Sequence, residues 1–158
     1  MGTLIVFLIL FSIFIIMNLL IHKYCMNQHI KVIKQIENEK YTIFKNLKLK
    51  QAWNYGFRLN RADLILINKQ LIVLIFNSNL NGIIKQAQPV ILFYQKEPVQ
   101  LFNGINSYNK IENIFPLNNG IKILTKVDYF FNKKNLSFEF ETTPEQKGQI
   151  ISCLTDND

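Results

Sequence analysis

His22, Cys25 and His29 are the closest grouping in this chain of side chains that do chemistry. Imidazole and thiolate are zinc ligands, and together they can serve as base and nucleophile. The spacing argues against either use. On a helix His22 and His29 stand two turns apart, about 10 Å of rise, too far for one ion. No carboxylate lies within that stretch to complete a set. The three read as residues at a membrane surface, and no metal ligand is expected among them. Cys25 stands where acylated cysteines occur, but membrane attachment is already supplied by the preceding residues, so an inert thiol is the expectation. With Cys153 far off in the chain, no disulfide framework is visible.

A second grouping depends on strand pairing. If Lys133 and Lys134 form a hairpin loop, Phe131 faces Leu136, Tyr129 faces Phe138 and Val127 faces Phe140. Asp128 then lies opposite Glu139. Facing carboxylates can share a proton or hold a cation. With Lys126 opposite Glu141 on the same wet face, the expectation is a tolerated like-charge pair. Asn135-Leu136-Ser137 matches a glycosylation acceptor, which a cytoplasmic location makes irrelevant. There is no G-x-S-x-G, no phosphate-binding glycine loop and no C-x-x-C pair. The sequence therefore points away from an enzyme, with no catalytic residue, metal or cofactor expected.

The remaining chemistry is charge. The net charge is +7, and residues 22–50 hold seven Lys against Glu37 and Glu39, leaving +2 for residues 51–158. Lys23, Lys31, Lys34, Lys45, Lys48 and Lys50 form the candidate membrane-surface site, each worth about 1 kcal/mol beside an anionic leaflet. Trp53 and Tyr55, with Phe57, are candidate interfacial aromatics or the edge of a core. Sixteen Lys against two Arg, amid many Ile, Asn and Phe, also suit an AT-rich genome. Nucleic acid is set aside as a partner, because the charge beyond residue 50 is nearly balanced. The expected partners are anionic lipids and a membrane-localised protein.

Those residues are positioned first by Thr3–Ile21, an uncharged run interrupted only by Ser12 and Asn18. As a helix it is roughly 28 Å long, close to a hydrocarbon core. A cleaved signal would want a basic start and a small-residue cleavage site, which the flanks lack. The lysines after the run bias the C-terminal part to the cytoplasm, giving a single-pass protein of the cell membrane. Residues 1–21 are thus a transmembrane helix. Residues 22–50 form a basic, mainly helical connector with a stripe at Ile33, Ile36, Ile43 and Leu47, although Tyr41–Leu49 could be a first strand. Residues 51–158 form the folded domain.

Strands are expected over 57–60, 63–68, 70–76, 89–95 and 99–102, with a loop over 77–88. Gln70–Phe76 is apolar on both faces and should be buried. Asn119-Gly120 signals a type I′ hairpin between Ile111–Leu117 and the strand from Ile121. Thr143-Pro144-Glu145-Gln146 writes a capping box for a last helix with an apolar stripe at Ile150, Ile151 and Leu154. The fold class is α+β: a transmembrane helix, then an antiparallel sandwich or partly open barrel of about seven strands closed by an amphipathic helix.

From Trp53 to Leu154, ending in FEFETTPEQKGQIISCL, this order resembles the pleckstrin-homology-like superfold. The resemblance implies a binding or scaffold module, with basic residues near the first hairpin (here Arg58, Arg61 and Lys69) as phosphate contacts in phosphoinositide-binding members. The alternative resemblance is to type IV pilin-like subunits, which also begin with a hydrophobic helix, continue it as an amphipathic half and end in a β-rich head. Val6 and Phe7 stand where those carry an acidic residue.

Overall fold

The computed structural model describes residues 2–53, 56–76, 88–94, 97–98, 101–103, 105, 107–129 and 132–155. Helix α1 (Gly2–Ile36) leads into β1 (Thr42–Trp53), β2 (Gly56–Ile67), β3 (Gln70–Phe76), β4 (Val90–Phe93), β5 (Tyr108–Leu117), β6 (Gly120–Tyr129) and β7 (Asn132–Glu141). Helix α2 (Pro144–Thr155) is the last element. The architecture is α+β: a long apolar N-terminal helix, a seven-strand sheet and a C-terminal helix.

No Gly or Pro lies between Ile21 and Ile36, so α1 continues past the apolar run instead of passing into a connector. It stops in a turn where the Glu39 N–H donates to the Ile36 carbonyl at 2.9 Å. Over 35 residues it is about 52 Å long, well beyond a ~30 Å hydrocarbon core. Thr3–Ile36 is long and apolar enough to cross a membrane, and residues 3–21 are exposed throughout. Residues 42–50 are strand β1, which corrects the helical connector in favour of the strand alternative. β1 pairs with β2 along its length and with β7 over Leu49–Trp53, so that second half is hydrogen-bonded on both sides.

Each strand is hydrogen-bonded to the next, and β7 returns to β1. All pairs are antiparallel except β4–β5, where Ile91 to Phe93 run parallel to Tyr108 to Lys110. That corrects the wholly antiparallel expectation: a chain leaving β4 must travel back before it can pair in this sense, and residues 94–107 provide the crossover. The expected strand at 99–102 is absent at Leu101 and Phe102, which are irregular, while Val99 and Gln100 lie outside the described residues. The expected loop at 77–88 likewise falls outside them, apart from Gln88.

The type I′ turn occurs between β2 and β3, where Asn68 and Lys69 have φ of 46° and 60°. Between β5 and β6, Leu117 pairs with Gly120, so Asn118 and Asn119 form the turn, and neither has a positive φ. Gly120 is required for a different reason. A Cβ there would sit 2.0 Å from the Phe140 carbonyl oxygen.

The β6–β7 hairpin keeps the expected faces in a different register. Ile121 faces Phe140, Ile123 faces Phe138 and Thr125 faces Leu136. Relative to the sequence expectation the strands are slid by six residues, an even number, so each side chain stays on its own face. The slide gives Phe138 and Phe140 fully buried partners in place of Tyr129 and Val127.

Two cores explain why β3 is buried at every position. Ala62, Leu64, Leu66, Leu71, Val73 and Ile75 point to one cluster on the inner face of the sheet, which Ile150 and Leu154 of α2 cover. Ile65, Ile67, Ile72 and Leu74 point outward and pack with Ile91, Phe102, Ile105 and the α1 residues Val32 and Ile36. The capping box forms as written. The Gln146 N–H donates to Thr143 Oγ1 at 3.3 Å, and the Thr143 N–H donates to Gln146 Oε1 at 3.0 Å.

Candidate functional site

β1 carries Lys45, Lys48 and Lys50 on its exposed side, while Phe44 and Leu49 are buried in the inner core. In a regular strand Lys45 and Lys48, three apart, would face opposite ways. A bulge at Asn46, φ 58°, restores them to one face, and the register with β2 shifts between Phe44 and Leu47. The bulge is held from β2: Asp63 Oδ1 accepts the Asn46 N–H at 2.8 Å, and Arg61 Nη1 donates to the Asn46 carbonyl at 3.0 Å.

Neighbouring strands extend this row into a charge ladder. Lys48 bonds Glu141 of β7 at 2.9 Å and is in register with Arg61 of β2. Lys50 is in register with Glu139, which is also in register with Lys122 of β6. Lys48 and Glu141 are 62% and 61% exposed, so their attraction contributes little to stability. The β5–β6 turn, Pro116 to Asn119, lines a groove of about 970 Å³ together with this ladder. Its charged lining is Lys48, Lys50 and Arg61 with Glu139 and Glu141.

Of the six sequence-predicted lysines, the structure therefore brings Lys48 and Lys50 into one groove, with Lys45 further along the same strand face. Lys23, Lys31 and Lys34 are exposed on α1, within an ~80° sector at 100° per residue. They lie about 3, 15 and 20 Å along the axis beyond Ile21. The side chain of Trp53 and all of Tyr55 lie outside the described residues.

His29 is 1% exposed, which corrects its reading as a solvated residue at the membrane surface, and Cys25 is buried beside it on the same side of α1. Cys25, Gln28, His29, Val32 and Ile36 recur at helical spacing and form the buried side of α1. Ile33, placed by sequence in the packing stripe, is 42% exposed. Among the described residues no three of His, Cys, Asp and Glu come together as metal ligands. The Asp128–Glu139 facing pair does not form, because Asp128 is in register with Lys133 and Glu139 with Lys122. Lys126 meets Glu112 of β5 in an ion pair, not Glu141.

Arg61, Glu139 and Glu141 belong to the groove without having been singled out for it. The signal that could have found them is the alternation in Ser137–Glu141, which puts both glutamates on the face opposite Phe138 and Phe140. No family model, no curated protein and no solved structure matches this chain.

Proposed function

We propose that this chain is a membrane-anchored, non-enzymatic binding or scaffold module. In this reading Thr3–Ile21 spans the cell membrane, the sheet domain lies on the cytoplasmic side, and the β7–β1–β2 face is its docking surface. The observation that carries it is the seating of α1 on the sheet, where Val32 and Ile36 pack with Ile65, Ile67, Ile72 and Leu74. An unbroken helix that is apolar at one end and docked at the other gives the domain one orientation relative to its anchor. Holding a surface at fixed height and angle raises its effective concentration for membrane-localised partners.

The lysines divide by distance. Lys23 sits at the headgroups, whereas Lys31 and Lys34 stand beyond a Debye length of ~8 Å from a leaflet that ends near Ile21. Seven strands followed by a capped helix that covers the inner core support the pleckstrin-homology-like assignment. The parallel β4–β5 pair is a departure from the antiparallel form of that order.

A pilin-like exported subunit is the second reading, supported by the continuous α1 whose second half packs on a β-rich head. Two measurements on the full chain test the proposal. A photo-crosslinker at position 48 or 50 should give a discrete protein adduct in native membranes; silence at both rejects the docking surface. A cysteine at exposed Ser152 should resist membrane-impermeant maleimide in intact cells. Labelling from outside favours the pilin-like reading.

A further inference from the structure

We propose that the β7–β1–β2 groove takes an extended acidic peptide segment, laid along β1 beside the β5–β6 turn. The inference rests on the reading of that face as the docking surface and names what docks. Lys48 and Lys50 are two residues apart in β1, with the bulge at Asn46 lying before them. Their side chains therefore recur at about 6.8 Å, the interval at which side chains recur along one face of an extended peptide. Carboxylates at alternate positions of such a peptide meet the two ammonium groups in step. Lys45 continues the row at one end, since the Asn46 bulge returns it to this face, and Arg61 lies beside Lys48 on β2.

The width of the cationic zone selects a chain over a lipid surface. Glu139 and Glu141 run parallel to the lysine row one strand away, about 4.8 Å to the side. A flat anionic leaflet would meet both rows at once. A peptide one strand wide can follow the lysines and avoid the glutamates. The groove lining has three cations and two anions, so it favours an anion while leaving a repulsive margin that fixes its position. Exchanging the Lys48–Glu141 contact for a peptide carboxylate forfeits little, because both partners are largely solvated.

The test uses the full chain in phosphatidylcholine nanodiscs and fluorescence anisotropy of a labelled Glu-Thr-Glu-Thr-Glu-Thr peptide and its Gln-for-Glu counterpart. The Glu peptide should bind and the Gln peptide should bind more weakly. Lys48→Gln with Lys50→Gln should weaken Glu-peptide binding about fivefold, two exposed charge contacts being lost. Glu139→Gln with Glu141→Gln should tighten it by a similar factor, a change of sign that general loss of folding would not produce. Lys31→Gln with Lys34→Gln on α1 should leave it unchanged. No binding of the Glu peptide, equal loss in the α1 variant, or no tightening in the glutamate variant each overturns the proposal. So does a Lys48/Lys50 variant that loses only association with phosphatidylserine nanodiscs, which would make the face a lipid surface. If crosslinks from positions 48 and 50 persist while the peptide fails, the peptide is wrong and the docking surface stands.

Discussion

The Gln35 carboxamide holds the backbone of Asn103 from both sides: its Oε1 accepts the Asn103 N–H at 2.8 Å, and its Nε2 donates to the Asn103 carbonyl at 3.3 Å. These residues are 68 positions apart, and the pair ties the end of α1 to the segment that supplies Phe102 and Ile105 to the outer core. Helix α1 is thus part of the fold.

That clamp can be weighed against the apolar contact below it. Gln35→Ala removes two neutral hydrogen bonds at an exposed site and should lower stability by about 1 kcal/mol. Ile36→Ala empties a fully buried position in the outer core and should lower it by roughly 2–4 kcal/mol. Urea unfolding in detergent measures both. A larger loss for Gln35→Ala than for Ile36→Ala would show that the clamp, not packing, holds the helix.

Two glycines should respond to alanine with opposite signs. Gly120→Ala places a methyl 2.0 Å from the Phe140 carbonyl oxygen, which neither backbone can relieve without breaking the β6–β7 ladder. A loss of about 2 kcal/mol or more is expected. Gly148 lies within α2 with nothing within 4 Å of the added atom, so Gly148→Ala should raise stability by about 0.5–1 kcal/mol. Thermal melts of the two variants decide the matter. Equal shifts would mean that the β6–β7 approach at Gly120 relaxes to admit a methyl group.

Positive φ at side-chain-bearing residues makes a third expectation. Lys69 occupies the second position of the β2–β3 turn at φ 60°. Lys69→Gly should stabilise by up to about 1 kcal/mol, since glycine takes that conformation without steric cost. At Asn46 the balance differs. Asn46→Gly should be nearly neutral, because the Asp63 and Arg61 bonds go to backbone atoms that glycine retains. Asp63→Ala should instead loosen the bulge, seen as faster amide exchange at Asn46.

What was legible in the sequence was local or two-sided. Thr143 and Gln146 are three residues apart and cap their own helix, so nothing distant was needed. Gln70–Phe76 announced burial on both faces because both faces are apolar, although that pattern does not reveal that one of them meets α1. The β6–β7 register was hidden because a slide by six preserves every facing; only the competition of Ile121 and Ile123 for Phe140 and Phe138 decides it. The buried side of α1 was hidden by its own composition. Gln28 and His29 count as polar in any hydrophobic pattern, yet both are buried, with Gln28 Oε1 lacking a hydrogen-bond partner among the described residues. The groove was split between distant segments, with lysines from the supposed connector and glutamates from the last hairpin.

The domain boundary follows from the same packing. A fragment starting at residue 53, where the pleckstrin-homology-like resemblance begins, lacks nearly all of β1, the strand that joins β2 to β7. Phe44 and Leu49 leave the inner core with it. A chain from residue 37 keeps every strand yet uncovers Ile65, Ile67, Ile72 and Leu74 by removing Val32 and Ile36. At about 2 kcal/mol per buried aliphatic side chain, even partial exposure of that cluster is comparable with a small domain's whole stability. A chain from residue 22 retains the docked half of α1 without the apolar run. Size-exclusion chromatography and circular dichroism should therefore find 22–158 monodisperse with a cooperative melt, 37–158 associating through its bared outer face, and 53–158 unfolded. A cooperative melt of 53–158 matching that of 22–158 would mean that neither β1 nor α1 is needed to complete the sheet domain.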